Sequence, residues 1–185
     1  MGYFPFGAAV NTAWQPSDNG LLAATATLDG GAIVATPTAG TIYLQKLLIR
    51  SYPLLITNIW YIVTTVGVGT STGSFVGVYN SAGSLLSGSA DIGANLLATG
   101  NYSTPLTTPQ TITSGFVWIA VVTNLATTQP GLRAEATTSF ATVDLGLTVA
   151  TARSASNVTG QTSLPASITP GSNVFSSTAV WFGTS

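Results

Sequence analysis

The sequence of 185 residues contains no cysteine and no histidine. Without cysteine, the chain has no disulfides, thiolate nucleophiles or sulfur ligands for a metal ion. Without histidine, it lacks the commonest general base at neutral pH and the preferred ligand of zinc, copper and non-haem iron. The five acidic residues are scattered and form no D-x-D calcium loop. We therefore expect no metal, no cofactor and no enzymatic activity.

Charge is also scarce. Charged side chains make up 5% of the residues, against about 25% in an ordinary soluble domain. No basic stripe is present to attract phosphates, so nucleic acid is not an expected partner. A net charge of −1 gives copies of the chain little electrostatic repulsion. We therefore expect much of the surface to be used in contacts and the protein to form a homo-oligomer.

Long apolar runs are missing too, although 45% of the residues are hydrophobic. No uninterrupted run approaches the roughly 18 to 20 residues of a membrane-spanning helix, so no membrane span is expected. The apolar residues form short runs between turn residues, and this pattern predicts three strands within residues 41–83. Residues 59–65 carry large apolar side chains on both faces, which is typical of a strand at the centre of a sheet. Phe116–Val122 has the same character, and we expect it to pair next to residues 59–63.

The remaining segments predict shorter elements. Turn residues at 80–83 predict a hairpin, and residues 94–97 allow one helical turn. Residues 102–113 predict two short extended pieces, which Pro105 and Pro109 confine to sheet edges or strand ends. The rest is predicted, in order, as a loop (124–138), a half-exposed strand (140–149), a long connection (151–172) and a final strand (173–182). No helix is long enough for a crossover connection. The expected fold is therefore an all-β, antiparallel two-sheet sandwich with jelly-roll connections.

Residues 1–38 differ from the sandwich domain that we expect over residues 39–185. Aromatic side chains alternate there with glycine and proline, which suits an extended N-terminal arm. Four large aromatic side chains left in water would be adhesive, so we expect them to be covered. They are candidate inter-subunit anchors: Tyr3, Phe4, Phe6 and Trp14. The alternative is a first edge strand that lies on its own domain.

Two tyrosines, Tyr79 and Tyr102, are the candidate contacts for a glycan. An aromatic face packs against the apolar face of a pyranose, while amides in the Thr/Asn-rich loops bind its hydroxyls. The tryptophans in apolar strands are expected in the core instead: Trp60, Trp118 and Trp181. Lys46 is the only lysine, and we expect its stem to lie on the sheet with its amine in water. The sequence thus offers a candidate glycan surface and no catalytic group.

Five stretches carry a resemblance to a known group of proteins. They are QPSDNGLLA (15–23), TAGTIYLQKLLIR (38–50), ITNIWYIVTTVGVG (56–69), FVGVYNSAGSLLSGSADIG (75–93) and ITSGFVWIAVVTN (112–124). Together they resemble the small β-sandwich proteins and modules among the minor tail, fibre and other virion surface proteins of tailed bacteriophages of actinobacteria. The likeness rests on the pattern of turns and strands and includes no catalytic signature.

The resemblance implies a non-enzymatic structural protein on the virion surface, commonly a homotrimer, in contact with other virion proteins such as the major capsid or tail proteins. Capsid decoration and a tail-associated module both remain open. The alternative is a carbohydrate-binding host-adsorption module that recognises a cell-envelope glycan. Packing also favours assembly, because a two-layer sandwich buries only one face of each sheet. If residues 59–63 and Phe116–Val122 are apolar on both faces, a second copy is expected to cover the other face.

Overall fold

The computed structural model describes residues 15–26, 33–49, 53–113, 115–135, 144–177 and 179–185. The described part is all-β, and its helical segments are single 3₁₀ turns at Pro16–Asn19, Asn95–Leu97, Val149–Thr151 and Pro170–Ser172. Its strands are β1 (Ala23–Ala24), β2 (Ile33–Ala35), β3 (Tyr43–Leu48), β4 (Leu54–Thr65), β5 (Phe75–Asn80), β6 (Leu85–Gly88), β7 (Gly100–Ile112), β8 (Phe116–Val122), β9 (Gly131–Ala134), β10 (Ser154–Ser156), β11 (Val174–Phe175) and β12 (Gly183–Thr184). They form two antiparallel sheets packed face to face, so the predicted sandwich is confirmed.

Sheet A is built around β4, the longest apolar strand. One edge of β4 pairs with β7, and the other edge pairs first with β12 and then with β9. The short strands β1 and β2 extend the sheet beyond β12 and β9. The prediction that residues 59–65 lie at a sheet centre is therefore confirmed. Residues 23–24 and 33–35, within the predicted arm segment, are edge strands of this sheet.

Sheet B has the order β11-β10-β3-β8-β5-β6, and β8 lies at its centre. All seven residues of β8 are in register with β3 or β5 across its two edges. The prediction that Phe116–Val122 pairs next to residues 59–63 is wrong, because the two segments belong to different sheets. Both strands are central, as their two apolar faces indicated, and they face each other across the core.

The order of pairing shows how the chain rolls up. β3 pairs with β8, β4 with β7, and β5 with β6, so three hairpin-like pairs are nested within one another. Successive pairs alternate between sheet B and sheet A. This nesting is the jelly-roll type of connection, with three nested pairs where an eight-stranded jelly roll has four. Because β4 and β8 belong to successive nested pairs, they lie in opposite sheets of the sandwich.

A β-bulge in β4 adjusts which side chains reach the core. The backbone N–H groups of Thr57 and Asn58 both donate to the carbonyl of Ser185, at 2.7 and 2.8 Å. Two successive donors on one acceptor add a residue to the strand and invert its alternation. Ile56 and Ile59, three positions apart, are consequently both buried between the sheets. Trp60 and Ile62 then fall on the outer face of sheet A, where both are half-buried.

The outer face of sheet B is covered by the chain itself. Trp118 and Tyr79 from this face are fully buried in a second apolar cluster with Ala155 and Ile168, and Leu164 packs against it. The covering residues come from residues 151–172, which were predicted as a connection; we call this segment the C-terminal cover. The expectation that this face of Phe116–Val122 needs a second copy is therefore wrong. The structure has three layers here: sheet A, sheet B and the C-terminal cover.

The C-terminal third differs most from the predicted elements. The predicted loop at residues 124–138 contains β9, and the predicted connection at 151–172 contains β10. The predicted strand at 140–149 is not formed in its described part, where Asp144–Gly146 make a turn and Val149 starts a 3₁₀ turn. Residues 173–182 contain β11 only at their start, and β12 begins just after them. The predicted helical turn at 94–97 is confirmed as a 3₁₀ turn.

Candidate functional site

Lys46 is held by the chain and its amine is not simply in water. Its Nζ donates a hydrogen bond of 2.8 Å to the carbonyl of Thr151 and lies 4.4 Å from the ring centroid of Phe116. Burial lowers the pKa of Lys46, and the carboxylate of Asp144 opposes that shift. The contacts tie β3 to the start of the C-terminal cover. Lys46 therefore fastens the cover, and in the part of the chain that the structure describes its amine has no serine hydroxyl as a hydrogen-bond partner.

The carboxylates of the described residues are also used by the fold. Asp91 accepts hydrogen bonds from the N–H groups of Gly93 (2.7 Å) and Ser74 (3.3 Å). Asp144 is buried and accepts from the backbone N–H of Arg153, whose guanidinium pairs with Glu135. In the described part of the chain, no three acidic side chains are close enough together to hold a metal ion. These acids therefore fix loops and the cover.

Tyr79 is fully buried on the outer face of sheet B, beneath the C-terminal cover. Its hydroxyl donates a hydrogen bond of 2.8 Å to the carbonyl of Pro165, and burial raises the pKa of this phenol. The ring has no accessible face for a sugar. The proposal of Tyr79 as a glycan contact is therefore corrected: it is a core residue because residues 164–168 fold back over β5.

Tyr102 lies on β7, on the side of sheet A that faces the core. Its ring stacks on Tyr61, with centroids 5.7 Å apart, and its hydroxyl donates to the carbonyl of Ala98 at 3.0 Å. The ring is half-buried against the main core. Tyr79 and Tyr102 thus lie on different sheets, so the structure does not bring the two candidate glycan contacts together. The candidate anchors of the arm, at positions 3, 4, 6 and 14, lie outside the described residues.

A cleft on the outer face of sheet A lies next to Trp60. We call it the Trp60–Trp181 cleft; its volume is about 260 Å³, and its lining residues are Asn19, Leu21, Trp60, Tyr61, Ile62, Asn101 and Trp181. Strand pairing explains this grouping, since Asn101 lies opposite Ile62 and Gly183 lies opposite Trp60. Gly183 leaves room for its neighbours, because a Cβ there would lie 3.1 Å from the Trp181 ring.

Three tryptophans were expected in the core: Trp60, Trp118 and Trp181. Trp118 is fully buried and Trp181 is 6% exposed, so both are confirmed as buried. Trp60 is only half-buried, because the bulge at Thr57 turns it to the outer face of sheet A. The sequence signal for this cleft was the alternation of Trp60 and Ile62 with the inward residues of the same strand.

A second surface feature is a groove of mixed polarity beside β1. Leu22 and Leu48, each 51% exposed, line this leucine groove together with Leu54. Its volume is about 370 Å³, and Gln15 and the 3₁₀ turn Pro16–Asn19 border it. The two exposed leucines make the groove a candidate contact surface for another protein.

Comparisons with known proteins give no relatives: no family model, no curated protein and no solved structure matches this chain. The resemblance to virion surface proteins therefore rests on the sequence pattern alone. No helix among the described residues is long and apolar enough to cross a membrane.

Proposed function

We propose that this protein is a non-enzymatic structural protein on the exterior of a tailed bacteriophage virion, either a capsid decoration protein or a tail-associated module. The sequence resemblance supplies the virion location. The contacts of the charged side chains support the proposal that the protein is not an enzyme. Lys46, Asp91, Asp144 and the Arg153–Glu135 pair each hold one part of the fold to another, and this structural use of the charged groups supports the proposal.

Self-association belongs to the same proposal, and a homotrimer is the state that the resemblance favours. Sheet B is sealed by the cover, so the exposed apolar side chains of the leucine groove are the surface that we assign to subunit contacts. An interface that buries several hundred Å² of apolar surface per subunit contributes about 10 kcal/mol before association costs, at about 25 cal/mol per Å². Leu22 and Leu48 supply part of the surface that a small cyclic assembly needs.

Virion location is tested by quantitative mass spectrometry of purified particles of the phage that encodes this chain. A copy number on the scale of the major capsid protein selects the decoration role. A handful of copies per particle selects a tail-associated module. Absence from the particles refutes both roles.

Self-association is tested by light scattering on the purified protein. Replacing Leu48 by serine is expected to weaken the oligomer, because the substitution removes apolar surface from the groove. Leu97→Ser is the matched control: Leu97 is similarly exposed but ends another 3₁₀ turn and does not line the groove. A wild-type protein that stays monomeric at micromolar concentration contradicts the homotrimer.

Deletion of residues 1–14 tests the arm, which has no inter-subunit role if assembly and particle attachment are unchanged.

A further inference from the structure

The lining of the Trp60–Trp181 cleft combines apolar surface with amides and carries no charge. Two indole rings, Leu21 and Ile62 supply the apolar part, and Asn19 and Asn101 supply the amides. A charged ligand would lose its hydration there without gaining an opposite charge, at a considerable free-energy cost. The cleft therefore suits a neutral ligand that has both an apolar face and hydrogen-bonding groups.

The indole rings of the cleft are held in place before any ligand arrives. Trp60 Nε1 donates to Ser185 Oγ at 3.0 Å, and Trp181 Nε1 donates to the carbonyl of Ala26 at 3.1 Å. Both indole N–H groups are therefore satisfied, and the rings can offer only their carbon surfaces to a ligand. Rings fixed in this way lose little conformational entropy on binding, which favours recognition.

The two amides are available for binding. Asn101 is exposed on β7, and Asn19 is exposed at the end of the first 3₁₀ turn. Within the described residues neither side chain hydrogen-bonds to another protein group. Each amide provides two donors and an acceptor, which is the combination that binds vicinal hydroxyls.

We infer that the Trp60–Trp181 cleft is a binding site for one ring of a neutral saccharide. The pyranose stacks its C–H face on the indole surface and hydrogen-bonds its hydroxyls to Asn19 and Asn101. A volume of about 260 Å³ is below the ~300–1,000 Å³ of pockets for larger ligands, so it fits a single ring. An apolar side chain of a protein partner would satisfy the rings but would leave both amides unpaired. The inference does not rest on the virion location.

The test is an NMR titration of the full-length protein that follows its indole N–H signals. Methyl glycosides of glucose, galactose, mannose and N-acetylglucosamine are the neutral probes, and glucuronic acid is the charged one. At least one neutral probe is expected to shift the signals of Trp60 and Trp181. The signal of Trp118 is the internal control and should not move, because that ring is buried in sheet B. Glucuronic acid should bind more weakly than methyl glucoside.

Replacement of Asn101 by alanine should weaken the binding of that neutral probe about 3- to 10-fold, the effect of losing one ordinary hydrogen bond. The residue is exposed, so the variant should fold. Thr111→Ala is the matched control, since Thr111 is exposed on the same strand but lies opposite Leu55 and outside the cleft. The control should bind like the wild type.

Three results overturn the inference. The first is that none of the neutral glycosides shifts the signals of Trp60 and Trp181. The second is that Asn101→Ala binds as tightly as the wild type. The third is that N-acetyl-leucine amide, an apolar probe, shifts both signals while the glycosides do not, which makes the cleft a protein contact.

Discussion

Replacing Trp118 by alanine tests whether the outer face of sheet B is a core of the single chain or a subunit interface. Trp118 is fully buried there, its Nε1 donates to the carbonyl of Ala152 at 3.3 Å, and its ring meets Phe116 edge-on at a centroid distance of 5.2 Å. The chain supplies all of these contacts. The stability lost in the variant should therefore be a property of the monomer.

The expected loss is large. Truncation of a buried tryptophan to alanine costs about 3–5 kcal/mol in transfer and cavity terms, and the lost hydrogen bond adds about 1 kcal/mol. The total stability of a domain is only about 5–15 kcal/mol, so the variant should be marginal. Trp118→Phe keeps a ring in the cluster and provides a milder test, with an expected loss of about 1–2 kcal/mol.

Urea unfolding at low and high protein concentration is the assay. For a core residue, the difference in unfolding free energy between wild type and variant is the same at both concentrations. For an interface residue it grows with concentration, because only the assembled state loses the contact. Leu145→Ala, at a side chain that is 85% exposed, is the control and should change stability by less than about 0.5 kcal/mol. A concentration-dependent loss, or a loss below about 1 kcal/mol for Trp118→Ala, refutes the reasoning.

Three further substitutions test the way the cover is attached. Gly83→Ala should destabilise the protein by about 1–3 kcal/mol in urea unfolding, because Gly83 has a φ of 90° and the added Cβ would meet the carbonyl of Ile168. Gly171→Ala is the near-neutral control, because no neighbouring atom lies within 4 Å of its added Cβ. Asp144→Ala should cost about 1–3 kcal/mol in the same assay, because it leaves the backbone N–H groups of Arg153 and Ser154, at the start of β10, without their acceptor. Burial raises the pKa of the Tyr79 phenol in the folded state, so its contribution to stability is complete below the unfolded-state pKa of 10.0 and is lost as the pH rises above that value. The free energy of unfolding of Tyr79→Phe should therefore fall less steeply above pH 10 than that of the wild type. If Tyr79→Phe loses stability above pH 10 as steeply as the wild type, the last of these is wrong.

The sequence shows which strands are buried but not which strands they meet. Residues 59–65 and Phe116–Val122 carry apolar side chains on both faces, and both are central strands. Their pairing was mispredicted because the side-chain pattern of a strand indicates how many of its faces are covered and not which strands lie at its edges. The pattern also does not identify the covering element, which for β8 includes residues about 50 positions later in the chain, such as Ile168.

The cover itself could not be found from pattern alone. Residues 151–172 are mostly small and polar, and their apolar members, such as Leu164 and Ile168, follow no strand or helix period. They bury Tyr79 and Trp118 because the turn at Gly83 and the hydrogen bonds of β10 bring the segment onto sheet B. Tyr79 therefore looked like a surface residue at a strand end, although the fold makes it part of the core.

The cover makes the two faces of the sandwich unequal, and this restricts where function can lie. The centre of sheet B is closed on both sides by apolar clusters, so β8 offers few side chains to a partner. Among the described residues, the outer face of sheet A presents Trp60 and Ile62 at half burial. Placing a tryptophan there requires the bulge at Thr57, since regular alternation from Ile56 would have turned Trp60 into the core. The bulge therefore sets the indole of Trp60 on the outer face of sheet A, where the proposed saccharide site lies.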